Sequence, residues 1–66
     1  MTSSPNTRRN TASNPNTPAA TLTALAGDTD AGVRYRVAVN ANTPTKAIYT
    51  LSTDTNSYVA RAPGPR

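Results

Sequence analysis

The side chains best able to do chemistry in this chain are cationic and aromatic: Arg8, Arg9, Arg34, Tyr35, Arg36 and Arg61. Their spacing follows a period of 26 residues, the step that carries Asn14 to Asn40. At that period Arg8 stacks on Arg34, Arg9, Tyr35 and Arg61 form the next column, and Arg36 lies close by. A chain that repeats with this step lines them into a basic ridge with an aromatic in it. Such a ridge offers forked N–H donors to phosphates or acidic side chains and a ring face to a planar group. A solvated helix face gives the same pattern, so these six residues are a candidate binding site for the structure to place.

The same inventory argues against catalysis. There is no histidine and no cysteine, which removes the usual general bases, the thiolate nucleophile and the commonest metal ligands. Lys46 is the single lysine and nothing marks it as a buried base. Asp28-Thr29-Asp30-Ala31-Gly32 resembles the opening of a calcium loop, yet Val39 stands where the closing glutamate belongs, and helix capping accounts for the aspartates. No catalytic residue, cofactor or metal site is predicted.

Size and composition set the frame. With 66 residues, of which 35% are hydrophobic, the chain makes one small domain at most. The predicted core is Leu22, Leu25, Val33, Val37, Ile48, Leu51 and Val59, with parts of Tyr35, Tyr49 and Tyr58. No disulfide framework supports it. The first residues lack an apolar run and no stretch is long enough to span a bilayer, which predicts a cytoplasmic protein. The formal net charge is +4, but the charges are spread along the chain rather than run together.

The elements that must position the ridge follow from punctuation and periodicity. Thr17-Pro18 and Thr43-Pro44 read as helix starts, threonine as N-cap and proline in the first turn. Leu22 and Leu25, then Ile48 and Leu51, are predicted to face inward together. Gly27 supplies a stop and Asp30 an N-cap for a second helix bearing Val33 and Val37. Asn14-Pro15-Asn16 and Asn40-Ala41-Asn42 are turns. Tyr58 and Val59 open a last short helix that Pro63 ends. The organisation is therefore a frayed end at 1–6, helical repeats at 7–62 and a Pro/Gly tail at 63–66. Within the repeats, 7–13 is a partial copy, 14–39 a full one and 40–62 a weaker, partial one. A rival reading takes the alternation of Val33, Tyr35, Val37 and Val39 as a half-buried strand.

The ordered set Asn14-Pro15-Asn16-Thr17-Pro18, Leu22, Leu25-Ala26, Asp28, Asp30, Val33-Arg34 and Val37-Ala38 resembles the leucine-rich repeat variant family. Residues 40–62 carry a weaker copy, and Arg8 to Ser13 resembles the end of an earlier one. The resemblance implies a short all-α solenoid in which each repeat supplies an α-helix and a shorter 3₁₀-like helix, in the manner of HEAT and armadillo stacks. Some proteins of that family carry a cysteine-bound iron–sulfur cluster beside the repeats, for which this chain has no cysteine ligand. Thr7 and Thr11 stand where Val33 and Val37 stand in the full copy, and Pro63 shortens the last, as capping units or the decay of a longer array would produce.

A repeat of this kind is expected to be a non-enzymatic interaction module that binds a protein partner or a second copy of itself. Nucleic-acid binding through the ridge is the alternative, and a small structural subunit of a larger assembly a third. Neither a membrane nor a small-molecule substrate is expected.

Overall fold

A computed structural model describes residues 4–63 as five helices joined by tight turns. They are α1 (Pro5–Ser13), α2 (Ala19–Leu25), α3 (Ala31–Val39), α4 (Thr45–Leu51) and α5 (Ser57–Arg61). There is no strand among the described residues, and no helix there is long and apolar enough to cross a membrane. The strand reading of 33–39 fails on spacing. Val33 and Val37, four apart, are fully buried, whereas Tyr35 and Val39 are 41% and 50% exposed, which is a helical face and not an alternating one. The Asp30 carboxylate caps α3 as expected, accepting from the Val33 N–H at 2.9 Å.

Other signals act differently from their sequence reading. Helix α1 begins at Pro5, inside the segment expected to fray, because Ser4 caps it by accepting from the Thr7 N–H at 3.2 Å. Residues 1–3 and 64–66, which include most of the expected tail, lie outside the described residues. Pro18 and Pro44, not the threonines, are the N-cap residues of α2 and α4, and neither helix has a side-chain cap. The threonines are buried and point back: the Thr17 hydroxyl donates to Thr11 O and the Thr43 hydroxyl to Val37 O at 2.6 Å. Each thus closes the turn onto the end of the preceding helix. Gly27 takes no left-handed conformation. Its N–H bonds to Ala24 O at 3.2 Å just as Thr53 N–H, one period later, bonds to Thr50 O at 3.3 Å, so a side chain is tolerated at this position. The shorter helices α2 and α4 are α-helical, with 3₁₀-type bonds confined to their last turns, where Asp28 N–H meets Leu25 O and Asp54 N–H meets Leu51 O at 3.0 Å.

Helices α1, α3 and α5 pack in series, and α2 and α4 pack beside them. Burial shows how each helix divides its faces. In α2 the buried residue is Leu22, with Ala26 just beyond, four apart, while Thr21 is exposed and Leu25 half-buried. In α4 the buried pair is Ala47 and Leu51, while Ile48 is half-buried and Ser52 exposed. One period relates these sets, so the face of 22 and 26 looks toward the following unit and the face of 21 and 25 toward the preceding one. Each face is covered only where a neighbour exists. Leu22 and Leu25 are therefore unequally buried: Leu22 is covered by the following unit, while Leu25, turned toward the side of the preceding one, packs against the core only in part. Thr7 and Thr11 obey the same rule: exposed and half-exposed on α1, they occupy the positions that Val33 and Val37 fill in the interior.

The core is Ala12, Leu22, Ala26, Val33, Val37, Ala38, Ala47, Leu51 and Val59. Alanines at 12, 26, 38 and 47 let the helices approach closely. Tyr49 and Tyr58, expected to contribute, are 79% and 74% exposed, since the described helices offer no layer beyond them.

Asparagines bolt the units together. Asn40 is buried and its Nδ2 donates to Ala12 O at 2.7 Å and Asn14 O at 3.0 Å, while Asn42 Nδ2 donates to Thr17 O at 2.7 Å. In both copies the first asparagine also holds its own turn, Asn14 Oδ1 accepting from Asn16 N–H and Asn40 Oδ1 from Asn42 N–H, each at 2.8 Å.

Candidate binding surface

Three of the predicted ridge arginines turn inward to aspartates. Arg8 donates to both oxygens of Asp28 at 2.7 and 3.2 Å, and Arg34, one period on, to both oxygens of Asp54 at 2.8 and 3.3 Å. Arg9 grips Asp30 the same way at 2.9 and 3.0 Å. Each pair ties the first helix of a unit to the connection about 20 residues later, with the planar fork of the guanidinium matched to the carboxylate. Arg34 also donates to Asp28 O at 2.7 Å, threading the two connections together. The Arg8–Asp28 and Arg34–Asp54 pairs are mostly shielded from solvent, with side-chain exposures of 20% and 9%, and 17% and 10%.

The carboxyls respond accordingly. The hydrogen bond from Arg8 holds Asp28 below the usual carboxylate range against an opposing effect of desolvation, helped by the Asp30 N–H. Arg9 does the same for Asp30, whose capping bond from Val33 N–H adds to the effect, and Asp30 in turn raises the Arg9 guanidinium further. For Asp54 burial pushes upward, and the hydrogen bonds from Arg34 and the Asn56 N–H outweigh it, so this carboxyl also lies low. All three aspartates stay ionised wherever the chain is folded near neutrality.

Counted from α1, the second copy (residues 34–59) departs from the first (residues 8–33) at one cluster. Arg9, Asp30 and Gly32 become Tyr35, Asn56 and Tyr58 one period later. Gly32 is required by the ion pair above it: a Cβ there would lie 2.6 Å from Arg9 Nε and 3.0 Å from Asp30 Oδ2. Where the pair is gone the glycine is gone too. Asn56 keeps only the capping task, accepting from the Tyr58 and Val59 N–H groups at 2.9 and 3.3 Å. Tyr35 on α3 and Tyr58 on α5 take these two positions, and both are exposed.

The charge balance follows. With the three aspartates matched to Arg8, Arg9 and Arg34, the net charge of +4 resides on Arg36, Lys46, Arg61 and Arg66, the last outside the described residues. Arg36 is exposed and donates only to the neutral Ser13 hydroxyl at 3.0 Å, and Arg61 is exposed with a long bond of 3.4 Å to Ser57 O. Of the six candidates, then, Tyr35, Arg36 and Arg61 are exposed on α3 and α5, with Arg36 reaching toward Ser13 at the end of α1. Arg8, Arg9 and Arg34 are committed to the scaffold. Sequence reasoning missed Tyr58 beside this group, and Lys46 with Tyr49 on α4. The signal was available: Lys46 and Tyr49, like Tyr58 and Arg61, are three apart, the spacing that puts a cation and a ring on one helical face. No cluster of potential metal ligands occurs among the described residues, and with no cysteine in the chain the residues present do not fit an iron–sulfur cluster.

Neither a curated protein nor a solved structure matches this chain. A family model does, over a window as long as one period that opens on α1 and closes on the Asp30 cap. Residues 5–30 match the family described as leucine rich repeat variant, which bears out the resemblance carried by the Asn-Pro-Asn-Thr-Pro, leucine and aspartate motif.

Proposed function

We propose that this chain is a non-enzymatic interaction module that binds an anionic macromolecular partner through the exposed surface of α3 and α5. The observation that carries this reading is the segregation of charge. Arg8, Arg9 and Arg34 are neutralised by Asp28, Asp30 and Asp54, and the described cations with no acidic partner, Arg36, Lys46 and Arg61, lie with the exposed tyrosines in residues 35–61. Helical-repeat families supply binding surfaces by stacking units, and here the stack is fastened by its own ion pairs and asparagines, which leaves the exposed Tyr35, Tyr58 and Arg61, and the charge of Arg36, for a partner. A protein partner fits if it presents an acidic segment. Self-association through this surface is disfavoured, because a second copy brings the same positive surplus.

Retention on a heparin column tests the reading. The protein is expected to bind at low ionic strength and elute with salt, and the Arg36→Ala/Arg61→Ala variant to elute earlier with its helical circular dichroism unchanged. Flow-through of the unaltered protein, or identical elution of the variant, contradicts it.

A further inference from the structure

We infer that the α3–α5 surface is built for single-stranded nucleic acid, an inference that rests on the anionic-partner reading above and names the class of partner. The argument starts from what the surface adds to charge. A patch selected for acidic side chains needs cations alone, whereas this one pairs each exposed cation with a tyrosine. Tyr35 precedes Arg36 on α3, and Tyr58 stands three residues before Arg61 on α5. Tyr58 and Arg61, three apart, have Cβ atoms roughly 5–6 Å apart on one helical face, while Arg36 flanks Tyr35 from the adjoining position. The cation is then placed for a phosphate while the ring is placed for the base of the same or the adjoining nucleotide.

The repeat geometry brings Tyr35 into one column with Arg61, since positions 9, 35 and 61 are one period apart and α3 packs against α5. The exposures of 41% for Tyr35 and 74% for Tyr58 leave ring surface open to solvent. None of the four positions one period earlier (Arg9, Asn10, Gly32 and Tyr35) repeats this ring-and-cation pairing. Ring faces accept any unstacked base, and a duplex, whose bases are stacked, offers none. The preference is therefore for single strands, without strong sequence selection.

The test is fluorescence anisotropy of a labelled oligothymidine of about 12 nucleotides, within the range such platforms cover. A hairpin duplex of similar length and a poly-glutamate peptide of similar charge run in parallel. Because the chain has three tyrosines and no tryptophan, quenching of tyrosine emission on binding reports stacking directly. The expected result is binding to the single strand that weakens with salt, weaker binding to duplex and peptide, and quenched emission. Tyr35→Ala/Tyr58→Ala should weaken single-strand binding about tenfold or more with the salt slope unchanged. Tyr35→Phe/Tyr58→Phe should restore it. Arg36→Ala/Arg61→Ala should instead flatten the slope, by about 0.7 for each phosphate that is no longer neutralised, and Tyr49→Ala on α4 should change little. Equal binding of peptide and oligonucleotide, or tyrosine variants that bind as the original does, overturns the nucleic-acid assignment and leaves the anionic-partner reading standing. Binding to none of the three probes at low salt removes both.

Discussion

The two copies of the repeat share one backbone design and use their side chains in opposite ways. In the first, Arg8 and Arg9 are drawn onto Asp28 and Asp30, and Gly32 clears the space for them. In the second, Arg34–Asp54 is retained while the neighbouring cluster becomes Tyr35, Asn56 and Tyr58, two exposed rings and a cap. The lesson is that a tandem repeat separates scaffold from function by position. What recurs at the period (the asparagine turn, the threonine that closes onto the preceding helix, the arginine–aspartate fork) holds the stack together. What changes between copies marks the surface that is available for a partner.

The largest expected effect breaks the rule for which face of a short helix is covered. Leu22→Ala empties a fully buried site between units and should cost about 3 kcal/mol, enough to unfold a domain this small in mild denaturant. Leu25→Ala, at a half-buried site on the edge of the core, should cost less than Leu22→Ala in a urea titration. Equal losses would mean that both leucines are equally covered after all. Next comes the asparagine bolt. Asn40→Ala leaves Ala12 O, Asn14 O and the Asn42 N–H without their partner and should cost about 2 kcal/mol. Asn14→Ala removes only the bond to Asn16 N–H and should cost a fraction of that by the same titration.

The ion pairs come third. Asp54→Asn should lower stability by about 1–2 kcal/mol, between the values for exposed and buried charge-assisted bonds, while Arg61→Ala stays within about 0.5 kcal/mol. The pH dependence has a fixed sign. Asp28, Asp30 and Asp54 have folded pKa values below the unfolded value of about 3.9. Their contribution is fully present above that value and is lost as pH falls through the depressed folded ones. Thermal melts should therefore be flat from neutrality to about pH 5 and drop in acid. The smallest effect concerns Gly32. Replacing it by alanine displaces the flexible end of Arg9 but adds helix propensity of up to about 1 kcal/mol, so stability should hold or rise slightly while the Arg9–Asp30 pair opens, visible in the Arg9 side-chain resonances.

Much of the fold was legible because its punctuation is periodic. The Asn turns, the Asp30 cap and the spacing of Val33 and Val37 all recur, and the helices follow from them. The N-cap role of Thr17 and Thr43 was misread because a buried threonine beside proline has a second acceptor within reach, the end of the previous helix, which no local pattern reveals. The direction of Leu22 and Leu25 was illegible for a different reason: it depends on which side of a unit has a neighbour. The candidate site was half legible. The columns named Tyr35, Arg36 and Arg61, which stand exposed, but the step of about 20 residues from Arg8 to Asp28 and from Arg34 to Asp54 was already present in the sequence and would have removed those arginines from the ridge.

The account turns on which arginines are bound within the molecule, and that is directly measurable. In nuclear magnetic resonance spectra of the arginine Nε–Hε groups, Arg8, Arg9 and Arg34 should give separate, slowly exchanging signals that persist when a polyanion is added. Arg36 and Arg61 should exchange fast and shift on that addition. Slow exchange for all five, or polyanion-induced shifts at Arg8 and Arg34 in place of Arg36 and Arg61, would contradict the division between a charge-satisfied first copy and an outward-facing second one.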